Sequence, residues 1–167
     1  MESWNIKKIL KEAIIVMLVV FVAGNVISFL RKPSLSSDRL PNMQSRLIDG
    51  SVLNQDDVLK KPLIVHFWGT WCPTCKLEAS NIQAVSEKYQ VLSIAVNSGS
   101  DEQIKQYMNE KDLNFKVIND NEGKWKAAFS VEVFPTTFIY DSKGKLKFTE
   151  VGYTTTAGLF ARMMAVK

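Results

Sequence analysis

The hydrophobic positions of this chain follow two regimes. From Ala13 to Leu30 the sequence runs 18 residues without an ionisable group, and only Gly24, Asn25 and Ser28 break its apolar character. As a helix rising 1.5 Å per residue, such a stretch covers roughly 27 Å, close to the hydrocarbon thickness of a bilayer. A cleavable signal has a shorter apolar region, of about 7–15 residues. Val22-Ala23-Gly24 could serve as a cleavage site, but apolar residues continue past it to Leu30. The reading is therefore an uncleaved anchor over residues 13–30, with a cleaved signal as the alternative. Residues 31–43 hold Pro33, Pro41, Ser34, Ser36 and Ser37 with no apolar period, as expected of a short extended linker.

From residue 44 onward the pattern alternates between strand-like and helix-like segments. Arg46-Leu47-Ile48 before Asp49-Gly50 predicts a short strand and a turn. Leu63–Trp68 and Val91–Val96 are short runs rich in branched residues, typical of buried parallel strands. Between them, Cys75–Tyr89 places Ala79, Ile82, Val85 and Tyr89 on one helical face. Ser100 and Gln103 stand at capping-box spacing ahead of Ile104, Tyr107 and Met108. Trp125, Ala128 and Phe129 mark a further helix. Thr137–Tyr140 and Leu146–Val151 flank Asp141-Ser142-Lys143-Gly144, a hairpin turn. Thr155 or Thr156 caps a last helix whose Leu159, Phe160, Met163 and Met164 face the core. The order of elements predicts an α/β sandwich with a mixed central sheet.

Charge sharpens this division. The formal charge of +4 could suggest nucleic acid as a partner. Lys7, Lys8, Lys11, Arg31 and Lys32, against Glu2 and Glu12, place +3 of it in residues 1–32. The rest is nearly neutral and has no basic cluster interleaved with aromatics, so nucleic-acid binding loses its support. Lys7, Lys8 and Lys11 point to residues 1–12 as the cytoplasmic side, although Arg31 and Lys32 nearly balance them.

The chemistry lies in Trp71-Cys72-Pro73-Thr74-Cys75, placed after one predicted strand and at the start of a helix. A helix N-terminus presents unpaired N–H groups and partial positive charge, which favour a thiolate at Cys72 as the nucleophile of disulfide exchange. Cys75 lies one turn on, on the same face, as the resolving thiol. Pro73 is tolerated in the first turn because its missing N–H has no partner there. Two Cys and one His are too few for a structural zinc site, and Lys76 stands where c-type haem attachment needs His. A structural disulfide over so short a loop constrains the unfolded chain little. The reading is a redox-active pair that uses neither cofactor nor metal.

Trp68-Gly69-Thr70-Trp71-Cys72-Pro73-Thr74-Cys75-Lys76-Leu77-Glu78 resembles the active-site segment of thioredoxin-fold proteins. Within them it is most similar to the membrane-tethered, TlpA-like branch, which includes cytochrome c maturation thioredoxins and suppressor-of-copper-sensitivity proteins. Val133-Phe134-Pro135-Thr136-Thr137 resembles the cis-proline loop of that family, and Gly152 stands where it has a glycine after the last strand. The resemblance covers roughly residues 44–167. It implies a thioredoxin-like three-layer sandwich, preceded here by one transmembrane helix, with a cis bond before Pro135. It also implies that Phe134, with Trp71, Pro135 and Thr136, receives an extended substrate by strand addition. Phe134 equally fits a core position, and both can hold.

Three further features have two readings each. Glu78 matches an acidic residue of the TlpA-like branch that assists proton transfer at Cys75, or is a solvated helix glutamate favoured by the dipole. His66 stands where thioredoxins bury an acid. It either relays a proton or, as a cation, stabilises the Cys72 thiolate, or it is a hydrogen-bonded core histidine. Trp68 and Trp71 are a docking rim or fold packing. Met43, Met163 and Met164 invite a copper reading, but the last two fit the apolar face of a helix. The expectation is thus a single-pass inner-membrane protein with its catalytic domain on the periplasmic side. It exchanges disulfides with protein thiols, in the reducing direction, and is recharged by a membrane-embedded thiol electron-transfer partner. The alternative from another class is a redox-inert tethered copper-binding or chaperone-like module.

Overall fold

A computed structural model describes residues 6–30, 32–35, 37–54 and 58–166; within the first helix, the side chains of Ile6, Lys7, Phe21, Asn25 and residues 27–30 are left aside. The chain divides into two compact units, residues 1–32 and 33–167. Residues 1–5 of the expected cytoplasmic segment, and Arg31 and Ser36 of the expected linker, lie outside the described residues.

The first unit contains helix α1 (Ile6–Leu30), 25 residues long. At 1.5 Å per residue it measures about 37 Å. Its apolar side chains are exposed, Val16 at 61% and Met17 at 70%. Among the described residues no helix is long and apolar enough to cross a membrane.

The second unit is built on a five-stranded sheet. A short hairpin, β1 (Ser45–Arg46) and β2 (Val52–Leu53), precedes it. It turns at Asp49-Gly50, where Asp49 Oδ1 accepts the Ser51 N–H at 2.8 Å. The expected strand at 46–48 is thus shorter, because Leu47 and Ile48 turn into the core. Then follow β3 (Leu63–Trp68), α2 (Pro73–Ser86), β4 (Gln90–Val96), α3 (Asp101–Glu110), β5 (Lys116–Asp120), α4 (Lys124–Ala128), β6 (Thr136–Tyr140), β7 (Leu146–Val151) and α5 (Thr156–Ala165). The strand order is β5-β4-β3-β6-β7, with β3, β4 and β5 parallel and β6 and β7 antiparallel. The mixed α/β sandwich expected from the pattern is present.

Central position explains the composition of β3. All six of its residues are buried, because helices cover one face of the sheet and loops with α4 cover the other. Ile64 and Trp68 join one core with Cys75, Ile82 and Val85 of α2, Ile104 of α3, and Leu159 and Met163 of α5. Leu63, Val65 and Phe67 join the other with Trp125, Phe129, Phe138 and Tyr140. The caps follow the sequence signals. Ser100 and Gln103 form a reciprocal capping box on α3, and Thr155 Oγ1 accepts the Gly158 N–H to cap α5. At the β6–β7 turn, Asp141 Oδ1 accepts from the N–H groups of Lys143 and Lys145, each at 2.9 Å. Gly144 supplies the positive φ of 73° that the turn needs.

Two expectations are corrected. The expected linker docks near its end, where Arg39 forms a β-bridge with Lys145. Leu40 N–H donates to Gly144 O at 2.8 Å, and Leu40 and Met43 are buried, since apolar side chains within reach of a core join it. Met164 points away from the core at 69% exposure; Leu159 and Met163 alone line the buried stripe of α5, with Phe160 at its edge.

Candidate active site

The redox pair sits where β3 ends and α2 begins. After Trp68 the chain turns tightly, with Cys72 N–H donating to Gly69 O at 3.1 Å, and Cys72 becomes the N-cap of α2. Cys72 and Cys75 form a disulfide, their Cα atoms 5.2 Å apart. Cys72 Sγ accepts the backbone N–H of Cys75 at 3.2 Å. A sulfur at the N-cap faces the unpaired donors of the first turn, and a thiolate there gains from both hydrogen bonding and the helix dipole. Pro73 occupies the first helical turn, where no donor is lost. Both cysteines are nearly buried.

The Phe134–Pro135 bond is cis. Phe134 is half-buried and meets Trp71 edge-to-face with ring centroids 5.5 Å apart. Trp71 is 51% exposed, and its Nε1–H donates to Val96 O at 3.0 Å. The indole folds back over Gly69: a Cβ there would stand 2.6 Å from Trp71 Nε1, so this position admits no side chain without displacing the ring. Trp68 differs. It is buried among Tyr107 and Phe115, and its Nε1–H donates to Ser93 Oγ at 3.1 Å. Of the two tryptophans, only Trp71 forms a rim. Thr136 is buried and its hydroxyl donates to Val133 O at 2.7 Å, so its side chain serves the turn that carries Pro135.

Glu78 is not a solvated glutamate. It lies on the buried face of α2 with Cys75, Ile82 and Val85, fully enclosed. Its Oε1 accepts the Thr154 N–H at 2.8 Å, whereas Oε2 has no hydrogen-bond partner. Burial pushes its pKa up to about 8, against the opposing pull of the Thr154 hydrogen bond. Burial thus favours the protonated form of this carboxyl, one helical turn from Cys75.

His66 faces the same side of the sheet as Ile64 and Trp68. Burial pulls its pKa down to about 3, so the ring is neutral and the expected cationic support for Cys72 is not available at neutral pH. Its Nδ1 pairs with Thr137 Oγ1 at 2.9 Å, across from it on β6. The structure therefore joins Cys72, Cys75, Trp71, Phe134 and Pro135 at one end of the sheet. It puts Glu78 beneath α2 and sets His66 in the sheet, bonded to Thr137. Thr137, Ser93, Asn81 and Thr154 escaped sequence reasoning, because their partners lie 25 or more residues away and only strand register and helix docking bring them close. Among the described residues no group of three His, Cys, Asp or Glu is placed to hold a metal.

A CxxC disulfide at a helix N-cap, beside a cis-proline and on a mixed five-stranded sheet, defines a thioredoxin-like thiol–disulfide oxidoreductase. The AhpC/TSA family matches residues 37–149, and the chain belongs to that family. A thioredoxin-like protein of Haemophilus influenzae is 31% identical over 164 residues, covering 95% of both chains. The thiol-disulfide oxidoreductase ResA of Oceanobacillus iheyensis is 28% identical over 150 residues, 83% of this chain and 78% of that one. A solved thiol:disulfide interchange protein of Chlorobium tepidum superposes with a TM-score of 0.67 at 24% identity, covering 80% of this chain and 95% of that one, a likeness of fold.

Proposed function

We propose that the protein is a membrane-tethered reductant of protein disulfides, TlpA-like in type, working outside the cytoplasm. The observation that carries the chemistry is the placement of Cys72 Sγ at the N-cap of α2, with a neutral buried Glu78 one turn beyond Cys75. The Cys72 thiolate attacks a substrate disulfide, forming a mixed disulfide and expelling one substrate thiolate. Cys75 gives its proton to the ionised fraction of Glu78, a minority at neutral pH because its pKa is about 8, and attacks Cys72 Sγ. The second substrate thiolate leaves, and the Cys72–Cys75 disulfide has taken up the oxidation that the substrate lost. When a thiol partner reduces that disulfide, Glu78 returns the proton to Cys75. A membrane-embedded thiol electron-transfer protein suits the role of partner.

The substrate enters as an extended segment against the Phe134 backbone, with Trp71 and Pro135 at its sides and the Thr136 side chain bracing the turn. His66 acts as a positioning residue. Its bond to Thr137 ties β3, which delivers Cys72, to β6, which follows Pro135. The reducing direction rests on Pro-Thr between the cysteines, a pair similar to that of reductants in the TlpA-like branch. Tethering rests on the 18 residues free of ionisable groups and on the exposed apolar surface of α1, which water does not favour.

Insulin-disulfide reduction by the full chain, compared with Cys72→Ser, tests the reaction: turnover is expected to vanish in the variant, and residual turnover overturns the assignment. Equilibration with glutathione tests direction, since a potential near the oxidising extreme of about −120 mV would reverse it. Extraction of the chain from membranes by alkaline carbonate would overturn the anchor.

A further inference from the structure

The β3–β4 ladder ends where Trp68 stands opposite Ala95, short of the cysteine that the strand delivers. Beyond that pair, two bonds of another kind keep the redox loop tied to the end of β4. Thr70 N–H donates to Ser98 Oγ at 3.1 Å, and Trp71 Nε1–H donates to Val96 O at 3.0 Å. Ser98 Oγ–H donates to the same Val96 carbonyl at 3.0 Å. A hydroxyl has one proton and the carbonyl can only accept, so Ser98 receives Thr70 N–H on a lone pair. The buried Ser98 hydroxyl thus takes the place of the carbonyl that a longer ladder would offer. The bridge is itself held from behind. Ser98 lies between Asn97 and Gly99, both left-handed with φ of 47° and 88°, a backbone that needs tertiary support at a non-glycine position. Asn119 Nδ2 donates to Gly99 O at 3.0 Å, and the Gln103 side chain accepts Ser100 N–H at 2.8 Å.

We propose that Ser98 is a positioning residue for the attacking thiol: its hydroxyl carries the ladder on to Thr70 and so fixes the turn that sets Cys72 Sγ at the N-cap of α2. That turn runs from Gly69 to Cys72 and is closed by Cys72 N–H on Gly69 O at 3.1 Å. Without the hydroxyl, Thr70 N–H loses its acceptor, and only the Trp71 bond still ties the loop to β4. Cys72 Sγ then spends time away from the Cys75 N–H that it accepts at 3.2 Å. A thiolate off the N-cap loses that hydrogen bond and the favourable end of the helix dipole. The effect falls on the nucleophile and not on substrate binding, so a peptide disulfide and a small one suffer alike. This inference rests on the disulfide-exchange reading above and deepens it.

The test mixes the reduced full chain, in detergent micelles, with excess insulin or 2-hydroxyethyl disulfide and times the formation of the Cys72–Cys75 disulfide. Ser98→Ala is expected to slow the reaction about tenfold, by the same factor for both substrates, from a smaller thiolate fraction and a misplaced sulfur. The midpoint of the pH profile for alkylation of Cys72 by iodoacetamide should rise by about one pH unit in the same variant. Ser98→Thr and Ser98→Val share a shape and differ in the hydroxyl. Thr should restore both readouts and Val should not, and this pair carries the test if Ser98→Ala fails to fold. Wild-type rate and alkylation midpoint in folded Ser98→Ala, a loss confined to insulin, or Thr no better than Val overturns the role of Ser98. Absence of Cys72-dependent exchange in the wild-type chain overturns the underlying reaction instead, and the alkylation profile then decides the role of Ser98 alone.

Discussion

The two faces of the central sheet are built for different ends. On one, Phe67, Phe129 and Phe138 form a mutual cluster with centroids 5.0 to 5.8 Å apart, surrounded by Leu63, Val65, Met43 and Val131. On the other, the same strand turns Ile64, His66 and Trp68 toward Ser93, Cys75 and the enclosed Glu78. The alternation of one six-residue strand thus separates an aromatic core from the apolar core that packs around the redox pair. A side chain of β3 on the first face can thus carry stability without facing the redox pair.

That separation can be broken, and the largest effect is expected on the apolar face. Phe67→Ala should lower unfolding free energy by about 3–5 kcal/mol, as large cavities in aromatic clusters do. The pH dependence of Cys72 alkylation should stay where it is in the folded variant. A displaced alkylation profile would show that the faces are coupled. Next comes Glu78→Gln, which preserves the acceptor for Thr154 N–H but removes the proton carrier. Turnover should fall about 100-fold, in keeping with the loss of a general acid–base group, without loss of thermal stability at pH 8. Unaltered turnover would return Glu78 to a purely structural role.

The pH dependence of stability sharpens the comparison further, because Glu78 and His66, both buried with shifted pKa values, lie on the active face. Glu78 binds its proton more tightly when folded, so stability declines as pH rises from about 4.5 to about 8. His66 binds its proton less tightly when folded, so stability declines as pH falls from about 6.5 to about 3. The two slopes oppose each other between about 4.5 and 6.5, which gives a flat maximum with a limb on either side. Denaturant midpoints across pH should show this shape, Glu78→Gln should flatten the alkaline limb, and His66→Asn the acid one. Limbs that survive both substitutions would assign them to other groups. The smallest effect is expected from Ser93→Ala, which leaves Trp68 Nε1 buried without its acceptor and should cost about 1–3 kcal/mol. Its redox potential should match the wild type.

Much of this architecture was legible in local pattern. The bounds of β3 and β7, the capping box at Ser100 and Gln103, the Thr155 cap and the Asp141–Gly144 turn all follow from interactions within a few residues. So did the redox pair, because its chemistry needs a helix start and a second thiol one turn away. Glu78 was harder. Sequence spacing placed Ala79, Ile82 and Val85 inward, and the real buried face is rotated to take in Cys75 and Glu78. Helical periodicity alone does not show where a neighbouring loop will supply a donor to a buried carboxyl.

What the sequence by itself determined was the sequence of elements, the nucleophile and its resolving partner, since propensity, capping and hydrophobic period act over one or two turns. The tertiary structure alone decided the partners of the polar groups. Strand register set His66 against Thr137, helix docking brought Asn81 and Glu78 to the segment after β7, and Leu40 and Met43 joined the core. Those contacts join positions tens of residues apart. Their energy depends on desolvation, which exists only once the sheet and its helices have closed over them.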